Sequence, residues 1–184
     1  MLRDLDIEVL SLQSFPDVPE VAEDGLTFYE NALKKAREVS RHTSETVLAD
    51  DSGLEVDILG GEPGIHSARY SGPTATDESN NRMLLRNLEG VPREKRGAAF
   101  RCALVLYRPD GRSKSFEGSW LGEILFEPRG TLGFGYDPLF LDPEQGLTAA
   151  ELPPEIKNRI SHRGRAFARF RSWLEKTEGK KVRG

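Results

Sequence analysis

Val47-Leu48-Ala49-Asp50-Asp51-Ser52-Gly53-Leu54 constrains this chain more than any other stretch. A short apolar run stops at two adjacent carboxylates, and Leu54-Glu55-Val56-Asp57-Ile58-Leu59 resumes after Ser-Gly. Such a run reads as a buried strand, and the Ser-Gly pair predicts a turn before a second extended segment. Neighbouring side chains on a strand leave on opposite faces, so Asp50 and Asp51 meet different surroundings. One faces a site while the other braces the turn. Taken alone, the motif fits a polar turn as well as it fits a metal site.

The 184 residues suit one domain, or one domain with two lobes, and are enough to bury a sizeable core. We expect a single domain over residues 1–178 and a flexible tail over 179–184. No apolar run approaches a membrane span, and the N-terminus has no basic-then-apolar leader, so the sequence reads as cytoplasmic. The lone cysteine, Cys102, rules out an internal disulfide framework and a cysteine-based zinc site. Its neighbours, Phe100 to Leu106, read as a buried strand, which makes Cys102 an inert core thiol. Charge is uneven: ten Lys/Arg and two Asp/Glu lie from Lys157 onward, against 16 basic and 28 acidic residues before it. An acidic body with a basic end points to an anionic partner, or to a solvated helix face.

Leu2 to Leu5 reads as the last turn of a helix, and Ile7 to Leu12 alternates like a strand. Thr27-x-x-Glu30 has the spacing of a capping box and opens a helix, with Phe28, Ala32, Ala36 and Val39 on one face. Glu30 is therefore either the reciprocal cap or an acidic ligand at the helix start. A glycine-rich loop from Gly60 to Gly72 contains one strong cation, Arg69, and suits an anionic ligand. His66 in that loop reads as a structural residue. Thr76 to Leu88 is a second helix, with Gly90 near its stop. Ala98–Tyr107 and Ser113–Gly118 flank Pro109-Asp110-Gly111 as a hairpin, and Leu121–Phe126 reads as a further strand. A short helix starts at Pro153-Pro154 and runs through Lys157. Ser161-His162-Arg163-Gly164 then opens a longer one, with Phe167, Phe170 and Leu174 inward.

Carboxylates near an Arg-bearing glycine loop suit Mg2+ and phosphate better than zinc, because Mg2+ takes hard oxygen ligands and only one or two protein carboxylates. An ordinary Asp titrates near ~3.9, so Asp51 is expected to be ionised at neutral pH, able to hold a metal or orient water. The three histidines are scattered. In Gly133-Phe134-Gly135-Tyr136-Asp137-Pro138, glycines free an aromatic to meet a flat ligand. Base–aromatic stacking is worth roughly 1–3 kcal/mol. Lys157, His162 and Arg163 lie near helix starts, where cations and backbone N–H groups receive phosphate or carbonyl oxygens. A purine nucleotide with metal-bound phosphates satisfies all of these together.

Thr27-Phe28-x-Glu30-Asn31-Ala32, Ala49 to Leu54, Pro63-Gly64-Ile65-x-Ser67-Ala68-Arg69-Tyr70, Gly133 to Pro138 and Ile160 to Gly164 occur in this order. In these motifs the chain closely resembles the inosine triphosphate pyrophosphatase family, the XTP/dITP diphosphatases, over about residues 25–170. The resemblance implies an elongated α/β fold with a central mixed β-sheet flanked by helices, two lobes, and a cleft between them. It implies Mg2+-dependent hydrolysis of ITP, dITP and XTP to the monophosphate and pyrophosphate, and a homodimer with no nucleic-acid or membrane partner. Carried over by motif, Asp51 activates water and ligates metal, with Glu30 and Asp50 supporting the metal site. Ser52 and Arg69 contact substrate. Phe134, Gly135, Tyr136 and Asp137 cradle base and sugar, and Lys157, His162 and Arg163 bind the nucleotide, the last two near the 6-keto edge. The family opens with Thr/Ser-x-Asn-x-x-Lys, a loop that grips the triphosphate, and the first twenty residues here contain no such motif. The expectation for the chain as written is weakened triphosphate binding and turnover, or else a purine-nucleotide-binding module with little catalysis.

Overall fold

The computed structural model describes residues 7–178. The expected helix turn at Leu2–Leu5 and the expected tail at 179–184 lie outside the described residues. Among the described residues, five strands form one antiparallel sheet in the order β1-β2-β3-β4-β5: Val47–Val56, Gly97–Tyr107, Ser113–Ile124, Phe140–Asp142 and Leu147–Thr148. Glu123 stands opposite Leu141 in the β3–β4 ladder, and Leu141 opposite Thr148 in the β4–β5 ladder. The helices are α1 (Phe28–Thr43), α2 (Asp77–Asn87), α3 (Pro154–Ile160) and α4 (His162–Glu178). The α/β class is as expected. Among the described residues the sheet is antiparallel rather than mixed: β2 and β3 form a hairpin, and β2 returns beside β1 after α2.

Three sequence expectations change. Ile7 to Ser11 form no strand, and Leu12–Ser14 is a 3-10 turn. Val9, Leu10 and Leu12 are exposed, so the alternation has no buried face to stabilise it. Ser52-Gly53 is not a turn either, since β1 runs straight through it to Val56. Gly53 is buried within the strand, where its missing side chain leaves the extended backbone unimpeded. The third change is in β3, which continues past Gly118 to Ile124 and absorbs most of the separate strand expected at Leu121–Phe126. Gly122 explains this continuity: a Cβ there would lie 2.4 Å from the carbonyl oxygen of Leu141, so the glycine is what lets β4 approach.

The chain forms two compact units, one made of residues 7–51, 103–117 and 165–178 and the other of 52–102 and 118–164. In the first, Ala32 and Ala36 of α1 are wholly buried against Ala103 and Val105 of β2, with Phe28, Val47 and Ala49 beside them. Small residues on the helix let it lie close to the strand. Phe116, Phe170 and Trp173 add an aromatic group, with Phe116 and Phe170 edge to face at 5.4 Å. In the second unit Leu54, Leu84, Leu88, Phe100, Trp120, Phe140 and Leu152 form the core. The indole of buried Trp120 donates to Asp142 at 2.7 Å. Arg96, also buried, donates to the carbonyls of Leu88, Val91 and Leu125, which fixes the passage from α2 into β2. Cys102 is buried in β2, as expected. Among the described residues, no helix is long and apolar enough to cross a membrane.

Candidate active site

The acidic group is built within the first unit. Thr27 caps α1 by accepting from the Glu30 N–H at 3.1 Å. The Glu30 carboxylate accepts from the Leu26 N–H at 2.7 Å, one residue earlier than in a capping box. Asn31, next on the helix, is buried and donates to Asp51 Oδ2 at 3.2 Å. One turn on, the Lys35 ammonium donates to Asp51 Oδ1 at 3.0 Å and to Glu23 at 2.8 Å. Residues i and i+4 share a helix face, so Asn31 and Lys35 take one oxygen each of the same carboxylate. Asp50 is less buried than Asp51, in keeping with strand alternation.

Burial pushes the Asp51 carboxyl above the usual aspartate value, against the opposing hydrogen bond and charge of Lys35, while Glu23 adds to the rise. Burial works against the Lys35 ammonium too, but hydrogen bonds and charge from Glu23 and Asp51 outweigh it and raise its pKa. The spot on Asp51 Oδ1 thus already holds a positive charge, shared with a second carboxylate. That is the donor chemistry a hard cation uses: oxygen ligands, one or two of them carboxylates, with water and phosphate completing the set. Among the described residues no three His, Cys, Asp or Glu side chains come together as a ready-made metal cage. A site completed by substrate phosphates does not need one. Neither Lys35 nor Glu23 stood out in the sequence. Only the position of Lys35, one turn after Asn31, could have signalled its role.

The second group lies in the other unit. The loop between β3 and β4 exposes 63% of Phe134. Lys157 Nζ lies 5.3 Å and Arg163 Cζ 5.6 Å from its ring centroid, within reach of cation–π attraction. Asp137, buried at the foot of the loop, accepts from the Phe134 N–H at 2.8 Å and pairs with the Lys157 ammonium. Gly133 has φ +78°, and a Cβ there would come within 2.0 Å of Asp137 Oδ2, so this position needs glycine for both its backbone and its clearance. Tyr136 points into the core, and its hydroxyl donates to the Ser67 carbonyl at 2.9 Å. His162 is buried with its ring 4.8 Å from that of Phe100 and nearly parallel to it. Asn81 and Asp77 of α2, neither expected from the sequence, bond the backbone of Gly135. Arg69 ends a 3-10 turn, Gly64–Arg69, and is exposed, as is His66. Ser52 follows Asp51 on β1 and is half-buried.

The geometry therefore brings Asp51 together with Asn31, Lys35 and Glu23, and brings Phe134 together with Asp137, Lys157 and Arg163. A buried carboxylate held at both oxygens and an aromatic face flanked by cations suit phosphate chemistry and base stacking respectively.

A family model described as the Ham1 family matches residues 1–173. The dITP/XTP pyrophosphatase of Geobacter sulfurreducens is 57% identical over 174 residues, 95% of this chain and 87% of that protein. A protein of the same name from Geobacillus kaustophilus is 52% identical over 175 residues, 95% of this chain and 86% of its own length. The solved structure of a HAM1 protein from Coxiella burnetii superposes with a TM-score of 0.90 at 43% identity, covering 96% of this chain and 90% of that one. With its motifs, its fold and its relatives in agreement, the chain belongs to the Ham1 family.

Proposed function

We propose that this protein is a Mg2+-dependent pyrophosphatase that hydrolyses deaminated purine nucleoside triphosphates, ITP, dITP and XTP, to the monophosphate and pyrophosphate. The observation that carries the proposal is the exposed Phe134 ring with Lys157 and Arg163 beside it, in a chain more than half identical to proteins named for dITP and XTP. Each of the two residue groups is built within one unit, and assigning both to a single substrate rests on the family.

Phe134 stacks on the purine, and Asp137 holds the loop backbone and Lys157 in register for base and sugar. His162 and Arg163 donate to the 6-keto oxygen. The 6-amino group of adenine would leave those donors unpaired, and a site of that kind discriminates by on the order of 10⁴. Ser52 and Arg69 contact the substrate on the phosphate side. Asp51, ionised and fixed by Asn31 and Lys35, accepts a proton from the attacking water through a carboxylate oxygen. The water oxygen bonds to the α-phosphorus as its bond to the bridging oxygen breaks, and pyrophosphate leaves with that electron pair. Asp51, Glu30 and Asp50 are assigned to hold Mg2+, which when bound supplies Lewis-acid polarisation of the phosphate oxygens and neutralises leaving-group charge. A homodimer in the cytoplasm belongs to the same proposal.

The test is hydrolysis of ITP, XTP, dGTP and ATP with Mg2+, scoring pyrophosphate against orthophosphate. Pyrophosphate from ITP and XTP, lost on chelation and weak with ATP, is the expected result. Orthophosphate as the first product means attack at the terminal phosphorus and would sink the mechanism.

A further inference from the structure

We infer that Asp77 and Asn81 of α2 are positioning residues for base recognition, because together they hold Gly135 by its N–H and its C=O and so fix where the Phe134 ring stands. This rests on the nucleotide reading above.

Asp77 Oδ2 accepts from the Gly135 N–H at 2.6 Å, and Asn81 Nδ2 donates to the Gly135 carbonyl at 2.8 Å. The two side chains are four residues apart on one helix face, so a rigid element grips the peptides on both sides of one loop residue. Gly135 has φ +59° with open space around its missing Cβ, so the loop bends there without steric support from a side chain. Phe134 gains little from packing either, since 63% of it is exposed. Its own N–H goes to Asp137. Three of the four backbone polar groups of Phe134 and Gly135 are thus pinned by side chains, and the fourth, the Phe134 carbonyl, accepts from the Asp137 N–H, beneath an aromatic that the core does not hold. An exposed ring on a pinned backbone is pre-organised for a ligand rather than collapsed for stability.

Helix capping does not account for the same two residues. Thr76 and Ser79 already cap α2 reciprocally, with the Ser79 N–H on Thr76 Oγ1 at 3.1 Å and the Thr76 N–H on Ser79 Oγ at 2.9 Å. Asp77 is therefore not required as the cap. Asn81, while serving Gly135, leaves its own Oδ1 buried with no hydrogen bond among the described residues. Asn80, between them in sequence, bonds the Ser67 and Ala68 carbonyls and the Ser71 N–H. That gives α2 a separate structural tie, which the substitutions below leave untouched.

The experiment compares wild type, Asp77→Ala, Asn81→Ala, the double variant and Asp77→Asn. The readouts are KM and kcat for dITP, equilibrium binding of inosine monophosphate by calorimetry, and melting temperature. Asp77→Asn keeps an acceptor oxygen in place and serves as the rescue. The double variant is expected to raise KM and weaken monophosphate binding by roughly tenfold, a partial loss of one base–aromatic stack, with kcat within about twofold. Asp77→Asn should restore most of the Asp77→Ala loss. Unchanged affinity in the double variant overturns the inference. So does a loss of kcat and melting temperature together that Asp77→Asn does not rescue. A wild type that binds inosine monophosphate but releases no pyrophosphate from dITP rejects the activity alone. A wild type that binds no nucleotide rejects both.

Discussion

Asp137→Asn removes the charge of a buried carboxylate while keeping its shape, and its cost follows from what that carboxylate holds. The side chain is 5% exposed and receives two donors on Oδ2, the Phe134 N–H and the Lys157 ammonium. Hydrogen bonds to a charged group contribute about 1.5–3 kcal/mol, and neutral ones about 0.5–1.5. The Phe134 N–H bond passes from the first class to the second, and the Lys157 ammonium keeps a charged-donor bond but loses its counter-charge, for about 2–3 kcal/mol together. Lys157 is 19% exposed, so solvent takes over part of its interaction and the expected loss is about 2 kcal/mol. Asp137→Ala removes the acceptor outright and strands both donors, for about 3–5 kcal/mol. Urea unfolding of wild type, Asp137→Asn, Lys157→Met and the double variant completes a cycle. Once Lys157 carries no charge, Asp137→Asn should cost about 1–2 kcal/mol less than it does alone. KM for dITP should rise in every variant, because the same carboxylate fixes the backbone under Phe134. A loss below about 0.5 kcal/mol in Asp137→Asn, or strict additivity in the cycle, would refute the charge-based account.

Phe134→Ala should leave stability within about 0.5 kcal/mol, since its ring is largely exposed, while KM for dITP rises roughly 5- to 100-fold, the equivalent of one lost stack. Unchanged KM would remove Phe134 from the base site. Lys35→Met leaves Asp51 and Glu23 without their shared cation, and with Lys35 partly exposed the urea-derived stability should fall by about 1–3 kcal/mol, with kcat falling at least about tenfold. Glu151 has its carboxyl held below the usual value by the Thr148 N–H and by Arg129. A depressed folded-state pKa stabilises above the unfolded value and is lost as pH falls through the folded one. Wild type should therefore melt above Glu151→Gln near neutral pH, with the gap closing as pH falls below the ordinary glutamate range. A gap that widens in acid would reverse the sign.

Much of the local structure was legible in residue types. Thr27 and Thr76 opened helices where their hydroxyls can accept a backbone N–H, and Pro109-Asp110-Gly111 closed the β2–β3 hairpin through the Arg108–Arg112 backbone bond. These are interactions within a few residues, and the sequence spells them out. The errors came where a local signal met a distant partner. Ser52-Gly53 has turn chemistry, yet lies inside β1 because the neighbouring strand supplies a ladder for it. Ile7 to Leu12 has strand alternation, yet is no strand, because alternation without a pairing partner and a buried face has nothing to stabilise it.

Asp51 shows the same division within the candidate site. Its place at the end of an apolar run, and the family motif around it, are properties of the sequence alone. That Asn31 and Lys35 each hold one of its oxygens depends on α1 lying against the sheet, which the wholly buried Ala32 and Ala36 permit. Likewise Phe134 between glycines announces an aromatic free of regular structure. Asp137 supports it from within the same loop, but Asp77, Asn81 and Lys157 come from α2 and α3, with Asp77 58 residues from the Gly135 it holds. The sequence by itself determined the family, the helix starts and the kinds of chemical group available. Only the tertiary structure decided which of those groups meet, because contacts between distant residues depend on how buried faces pack and not on any local spacing.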